Sequence, residues 1–395
     1  MKVVQINATY GIGSTGKICA GISRMLTAEG IENQVLYCGK KVDFPNGERY
    51  GGTAYIKLQA LRCRISGHYG FHSKAVTRKL LRKLDSIRPD LVHIHNIHSH
   101  NCNLRMLFAY LKKHEIKVCW TFHDCWAFTG YCPNFDMVDC QKWKGACGKC
   151  PQRGSFSWFF DKSGWLQGQK KALFTSFPMT VVTPSHWMAD IVKESFLKEQ
   201  EVRVIPNGIN LAVFRPRESA FRSRYGCADR WIVLGVAFGW DKRKGLDVFL
   251  ELSRRLDHRF QIVLVGTDER TDKQLPPQIL SIHRTYNQQE LAEIYSTADV
   301  LVNPTREDNY PTVNMEALAC AVPVVTFDTG GSPEIPDESC GTVVEKEDMD
   351  ALTAEVIRIC ENRPFSKDAC LARAKNFEQQ KRYREYLALY KELLR

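Results

Sequence analysis

No uninterrupted apolar run in these 395 residues approaches the roughly 18–20 residues that a membrane-spanning helix needs. The opening Met1-Lys2-Val3-Val4-Gln5-Ile6-Asn7 goes straight into a strand-like run. It lacks the basic start, long apolar middle and small-residue cleavage site of an export signal. Cysteine is plentiful, at 15, but it does not recur as in a secreted disulfide scaffold. Scattered thiols such as Cys19, Cys227, Cys320 and Cys360 are therefore expected to be small buried hydrophobes in a reducing compartment. Low-complexity tracts and short-period repeats are absent too. With 44% apolar and 25% charged residues, the composition excludes a disordered or collagen-like chain. Together these absences predict a cytoplasmic protein, with peripheral attachment to the inner face of the plasma membrane as its route to a bilayer.

What is present is size, and charge of one sign in one half. The length suits two domains of about 200 residues. Residues 1–200 carry 28 Lys and Arg against 14 Asp and Glu, whereas residues 201–395 carry 27 against 30. All of the basic excess belongs to the first half, and a one-sided positive field attracts phosphates, anionic lipid or nucleic acid.

Short β-rich runs alternate with helical patterns along the whole chain. In the first half they are 2–7, 34–38, 91–95, 118–122, 180–183 and 202–205; in the second, 231–237, 261–265, 279–282, 300–303, 322–327 and 341–344. Most are continuous Val/Ile-rich segments, the pattern of strands buried on both faces of a parallel sheet. Such alternation predicts a doubly wound α/β fold, here twice over. The turn Pro206-Asn207-Gly208 marks the boundary. The expected division is 1–207, with a cysteine-containing insert at about 125–151, then 208–375, and a final helix in 376–395 packing back on the first domain.

The loop Gly11-Ile12-Gly13-Ser14-Thr15-Gly16-Lys17 matches two phosphate-binding patterns by letter. A dinucleotide fingerprint needs an acid at the end of the second strand. Leu36-Tyr37-Cys38-Gly39 has none, which disfavours an NAD-dependent oxidoreductase. A P-loop needs Ser or Thr where Ile18 stands. What survives is a glycine turn that brings backbone N–H groups and a helix N-terminus to an anion or a sugar.

In the second half, the strand-like 300–303 leads into Arg306-Glu307-Asp308-Asn309-Tyr310-Pro311-Thr312-Val313-Asn314-Met315-Glu316. Two carboxylates, Asp308 and Glu316, flank a helix start at which Thr312 and Val313 would offer free N–H groups to a phosphate. This stretch resembles the E-x7-E region of the retaining glycosyltransferases of family 4, which have the GT-B fold: two Rossmann-like, doubly wound α/β domains facing a central cleft. The likeness extends to Val92-His93-Ile94-His95, Thr121-Phe122-His123-Asp124, Val181-Val182-Thr183-Pro184-Ser185, Val204-Ile205-Pro206-Asn207-Gly208-Ile209, Lys244-Gly245-Leu246-Asp247 and Gly330-Gly331-Ser332-Pro333-Glu334-Ile335. The cysteine-containing insert is similar to that of the branch that builds colanic acid and other bacterial capsular or exopolysaccharides.

The resemblance implies a donor site for a nucleoside-diphosphate sugar, UDP- rather than GDP-linked, made of Gly11, Gly13, Ser14, Thr15, Gly16, Arg243, Lys244, Glu307, Asp308, Asn309, Tyr310, Pro311, Thr312, Val313 and Glu316. Glu316 would take the ribose hydroxyls and Asp308 a sugar hydroxyl. Residues 309–313 would line the ligand through their backbone. Lys244 would neutralise the departing diphosphate, and His123 would stand near sugar and acceptor. Asp308 replaces the family's first Glu with Glu307 beside it, which leaves open which of the two reaches the sugar. The Arg that usually precedes Lys-Gly is absent, with Arg243 nearby. The implied reaction is metal-independent transfer with retention, of a hexose-type sugar, to a glycan or polyprenyl-diphosphate-linked acceptor. No catalytic cofactor is expected, and no D-x-D motif stands in a suitable loop.

The insert contains Cys132, Cys140, Cys147 and Cys150. Cys147-x2-Cys150 has zinc-knuckle spacing, so the four are candidates for a structural zinc, with disulfides or reduced thiols as the alternatives. The letters His93, His95, His98 and His100 suggest a second metal site, although a structural or acceptor-side role fits a strand and loop better. Residues 57–88 hold nine Lys and Arg and one acid, and Trp158-Phe159-Phe160 adds aromatics. That mixture suits an anionic membrane surface. Two other readings compete. A zinc-knuckle nucleic-acid-binding protein is disfavoured, because residues 125–150 hold only Lys142, Lys144 and Lys149 against Asp136 and Asp139. A GT-B-fold nucleotide-sugar epimerase shares the same donor motifs.

Overall fold

Two all-parallel sheets are built from the Val/Ile-rich runs, most strands being followed by a helical crossover. The structure, a computed structural model, describes residues 1–98 and 100–395. The first sheet contains β1 (Lys2–Asn7), β2 (Glu32–Gly39), β3 (Gly47–Gly52), β4 (Leu91–Ile94), β5 (Lys117–Thr121), β6 (Thr180–Thr183) and β7 (Glu201–Val204), in the order β3-β2-β1-β4-β5-β6-β7. The second contains β8 (Trp231–Val236), β9 (Phe260–Val265), β10 (Ile279–Ile282), β11 (Val300–Asn303), β12 (Val324–Phe327) and β13 (Gly341–Val344), in the order β10-β9-β8-β11-β12-β13. The strand between residues 47 and 52 is the one the sequence pattern does not predict. Gly-Glu-Arg-Tyr-Gly-Gly buries only Tyr50, and it pairs at the sheet edge with a register shift at Tyr37/Cys38.

The chain divides into two compact units, Met1–Pro206 with Arg382–Arg395, and Asn207–Lys381. The return to the first unit thus comes at Arg382 rather than at 376. The reason is local pairing: the Ile209 N–H donates to the Phe377 carbonyl at 2.8 Å and the Gln379 N–H to the Ile209 carbonyl at 3.0 Å. Beyond that point the helix Gln379–Leu393 buries Tyr383, Tyr386, Leu387, Leu389 and Tyr390 against Val3, Ile22, Leu91 and Cys119. Burying an aromatic or aliphatic side chain is worth about 1.5–3 kcal/mol, so this last helix is part of the first core.

In each sheet the order reverses direction once, between β1 and β4 and between β8 and β11. Loops that leave the carboxyl ends on either side of such a switch point diverge and open a crevice for a ligand. The first unit adds three helices that matter below: α1 (Gly13–Ala28), α2 (Thr53–Ser66) and α3 (Lys74–Ile87).

Candidate active site

The second unit gathers charged groups at its switch point. Lys244, in the loop after β8, places Nζ 2.5 Å from Oδ2 of Asp308, in the loop after β11. The helix Thr312–Ala319 begins just beyond, with Pro311 at its cap position and no side chain closing its first turn. Its leading N–H groups at Thr312 and Val313 therefore form an anion-binding end. One turn further on, Glu316 accepts a hydrogen bond from the Tyr295 hydroxyl at 2.9 Å. Burial and the Glu316 carboxylate push that hydroxyl well above its ordinary range, so it remains a donor. Tyr295 thereby fixes the rotamer of the carboxylate.

The two loops are tied together by Arg306, which is 5% exposed. Its guanidinium donates to both carboxylate oxygens of Asp247 at 2.7 and 3.0 Å, to Glu347 at 2.7 Å and to the Lys242 carbonyl. Its backbone N–H donates to the Arg243 carbonyl at 2.9 Å. A third loop closes on them at Gly330, where φ is +58° and a Cβ would lie 1.9 Å from the Asp308 carbonyl oxygen. Glycine is therefore required there. Nearby, Asn314 Nδ2, Thr329 Oγ1 and Ser332 Oγ are buried without a hydrogen-bond partner, an arrangement that costs free energy unless a ligand or water supplies one.

Of the remaining predicted donor residues, Glu307 and Asn309 are buried, the Tyr310 ring packs into the core near Phe377, and the Tyr310 carbonyl accepts from the Asn207 amide at 3.5 Å. Arg243 lies 4.0 Å from Asp241 and does not join the Lys244–Asp308 pair. A cavity of about 600 Å³ in this unit is elsewhere: it lies by Asp299 and Val322, at the amino ends of β11 and β12.

The first unit's switch point is assembled mainly from neutral groups, with the Asp124 carboxylate as the charged neighbour of His123. His95, at the end of β4, approaches His123, after β5, at 3.0 Å between ring nitrogens, and its other nitrogen meets Gln5 Oε1 at 3.1 Å. Burial holds the His123 imidazole down to about 4, against a smaller upward pull from Asp124, so it is uncharged near neutrality. His98 pairs instead with Asp124 at 2.8 Å, and His93 is buried between Thr121 and the Tyr390 hydroxyl. Of the histidines between 93 and 100, His93 and His95 have ring centroids 3.9 Å apart, His98 turns to Asp124, and His100 Nδ1 is buried without a hydrogen-bond partner, so the four do not form a metal-binding group. Beside them the glycine loop folds on itself through Gly11 N–H to Gly16 carbonyl at 2.9 Å. Gly13, Ser14 and Thr15 open α1, again without a side-chain cap. Asn7 joins the two features, its amide reaching the Thr9 carbonyl and its oxygen taking the Asn96 N–H.

A family model described as "Glycosyltransferase Family 4" matches residues 16–213, half of the chain, and one described as "Glycosyl transferases group 1" matches 230–362. The chain belongs to glycosyltransferase family 4. Among curated proteins it is 24% identical over 373 residues to the putative colanic acid biosynthesis glycosyl transferase WcaC of Escherichia coli, covering 88% of each chain. It is 32% identical over 173 residues to a GDP-mannose-dependent α-(1-6)-phosphatidylinositol monomannoside mannosyltransferase of Mycolicibacterium smegmatis, covering 38% of this chain and 45% of that one. Its fold matches sucrose-phosphate synthase of Thermosynechococcus elongatus (TM-score 0.72, 18% identity, 100% and 99% covered) and Anabaena HepE in complex with UDP (TM-score 0.68, 14% identity, 99% and 100% covered). Both units of this GT-B glycosyltransferase are accordingly Rossmann-like.

Cys132, Cys140, Cys147 and Cys150 all line one small pocket. However, among the described residues no three His, Cys, Asp or Glu side chains are grouped so as to hold a metal. The thiols are shared between two apolar clusters instead, with Cys150 packed against the one containing Tyr131 and Leu166 and the others on the main core. Burial pushes the Cys132 thiol up to about 12, so it packs as a neutral hydrophobe. What holds the insert is Lys170, buried under it and donating to the carbonyls of Trp126, Thr129 and Gly130 at 2.7–3.2 Å. Sequence reasoning missed Lys170, Tyr295 and Arg306. Only Arg306 left a trace, as a cation beside two acids in the donor loop.

Proposed function

We propose that this enzyme moves a hexose-type sugar from a nucleoside-diphosphate sugar to a lipid-linked glycan acceptor in polysaccharide assembly, with retention and without a metal ion. The reading is carried by the Lys244–Asp308 ion pair at the second switch point, in the loops leading to the open helix end at Thr312, with Glu316 one turn into that helix. A diphosphate entering there competes with Asp308 for Lys244. Lys244 then faces the phosphate oxygens on which charge develops as the sugar–phosphate bond breaks. Asp308, released from its partner, accepts a hydrogen bond from a sugar hydroxyl, while Glu307 is buried beside it. The N–H groups at Thr312 and Val313 hold the phosphates, and Glu316, oriented by Tyr295, accepts from the ribose hydroxyls. Lys244 and the helix end supply the positive charge that a metal supplies elsewhere. In a same-face transfer the departing phosphate oxygen takes the acceptor's proton as the new glycosidic bond forms on the face the phosphate leaves. His123, neutral and held by His95, orients hydroxyl groups without carrying charge.

A UDP-sugar is favoured as donor by the fold relatives solved with UDP and UDP-glucose, whereas the GDP-mannose-dependent relative marks the alternative base. The acceptor class follows the colanic acid relative. The site of action we infer is the cytoplasmic face of the membrane; among the described residues no helix is long and apolar enough to cross it. Calorimetric titration with UDP and GDP separates the bases. Proton NMR of the product made from an α-linked donor tests retention, and a β-linked product overturns it.

A further inference from the structure

Among the described residues, sixteen large apolar side chains are exposed, and six of them fall on two segments of the first unit: Leu58, Leu61 and Ile65 on α2, and Trp158, Phe159 and Phe160. On α2, Ala54, Leu58, Leu61 and Ile65 recur at helical spacing and form one outward stripe. The opposite face buries Gln59 and Cys63. The usual arrangement is reversed, with the aliphatic stripe in solvent and an amide inside. The aromatic segment is no less open, with Phe159 63% and its two neighbours each 52% exposed.

The two segments adjoin. The Trp158 N–H donates to the Arg64 carbonyl at the end of α2, at 2.8 Å. Gly67, which follows the helix at φ +74°, would bring a Cβ to 2.7 Å from the Tyr131 hydroxyl and 3.2 Å from the Phe160 carbonyl, so the aromatic segment passes close beside the helix end. The patch is therefore continuous, and Lys57, Arg62 and Arg64 surround it, with no Asp or Glu anywhere between Thr53 and Lys83. Continuous exposed apolar surface of this kind marks an interaction site.

We propose that this patch docks the first unit on an anionic lipid bilayer, with α2 lying in the interface and Trp158, Phe159 and Phe160 inserted beside it. An apolar stripe flanked by Lys and Arg, joined to Trp and Phe, is the composition of an interfacial helix. A second copy is the poorer occupant, because pairing the patch with itself would juxtapose cations of one sign with no acid between. The inference goes beyond the proposed transfer and does not depend on it, since docking is measured without donor or acceptor.

Flotation of the full chain with vesicles of phosphatidylcholine alone, and of phosphatidylcholine mixed with phosphatidylglycerol, tests it. The wild type should float with the mixed vesicles, and high salt should weaken this. Leu58→Ser with Leu61→Ser and Ile65→Ser, and separately Trp158→Ser with Phe159→Ser and Phe160→Ser, should each lower partitioning about tenfold or more. Phe159→Ser alone should lower it less, and Arg62→Glu should act only on the mixed vesicles. All these side chains are exposed, so melting temperature and calorimetric affinity for UDP or GDP should stay at wild-type values. Wild-type protein that stays in the soluble fraction at low salt overturns the proposal, as do variants that float like wild type. A dimer in sedimentation velocity that the variants disperse, without vesicle binding, assigns the patch to a second copy instead.

Discussion

The two units present the same topological feature with opposite electrostatics. At the switch point of the second sheet stand Lys244, Asp308 and Glu316, braced by Arg306 with Asp247 and Glu347. At that of the first stand Gln5, Asn7, His95 and His123, all neutral near pH 7. Net charge runs the other way: 28 cations against 14 acids in residues 1–200, and 27 against 30 beyond. The basic excess of the first half is therefore not at its sheet edge. Much of it lies on α2 and α3, where residues 57–88 hold nine Lys and Arg. Domain charge and site charge answer different demands. A diphosphate leaving group calls for a fixed cation at one atom, whereas a lipid surface calls for many loosely placed ones.

If the second switch point is the charged half of the chemistry, Lys244→Ala should have the largest effect. Turnover should fall about 100-fold or more, the usual cost of removing a donor aimed at developing charge. His123→Gln, which keeps a neutral hydrogen-bonding group on the first unit, should cost less than that. Steady-state rates for the two variants side by side would invert the comparison if His123→Gln proved the more damaging.

Next in size is Glu316→Gln, expected to weaken nucleoside-diphosphate binding by roughly 1–3 kcal/mol, the range for losing a hydrogen bond to a charged group. Unchanged affinity in calorimetry would remove Glu316 from the site. Tyr295→Phe sharpens the same point at a smaller scale. It leaves the carboxylate in place but unbraced, so affinity should drop by about 0.5–1.5 kcal/mol, with the protein's melting temperature little changed.

The sheets were legible because strands buried on both faces must be apolar throughout, and runs such as 91–95 and 300–303 can be little else. The strand at Gly47–Gly52 was not, since an edge strand that buries a single side chain, Tyr50, shows no apolar run. In the site, Lys244, Asp308 and Glu316 were readable from ordered loop motifs. Tyr295 and Lys170 were not, because each comes from the buried face of a helix where a polar tip looks like any other core position. Their partners are 21 residues away for Tyr295 and 40–44 for Lys170. The insert's four cysteines are a mixed case: their spacing suggested a ligand set, and in the structure they line one pocket, with only Cys132 buried.

The smallest effect expected is a pH dependence carried mainly by the buried histidines of the first unit. Burial lowers the imidazoles of His93 and His95 well below their ordinary range and that of His123 to about 4. Around His123, Asp124 opposes this shift while His98 adds to it. The unfolded chain therefore binds protons first as pH falls, starting near 6.5. Stability contributed by these neutral rings is present above that value and is lost progressively down to about 4, below which the folded His123 is protonated as well. Asp124, held low chiefly by His98 against the upward push of burial, acts in the same direction but only below its ordinary 3.8. The buried thiols, shifted upward, matter only above about pH 9. Urea titrations between pH 4.5 and 7.5 should thus show stability rising with pH. His123→Gln should flatten part of that slope, and Lys244→Ala should leave it intact. A slope unchanged in His123→Gln would mean that His123 is already charged in the folded protein, and the contrast between a neutral and a charged switch point would fail.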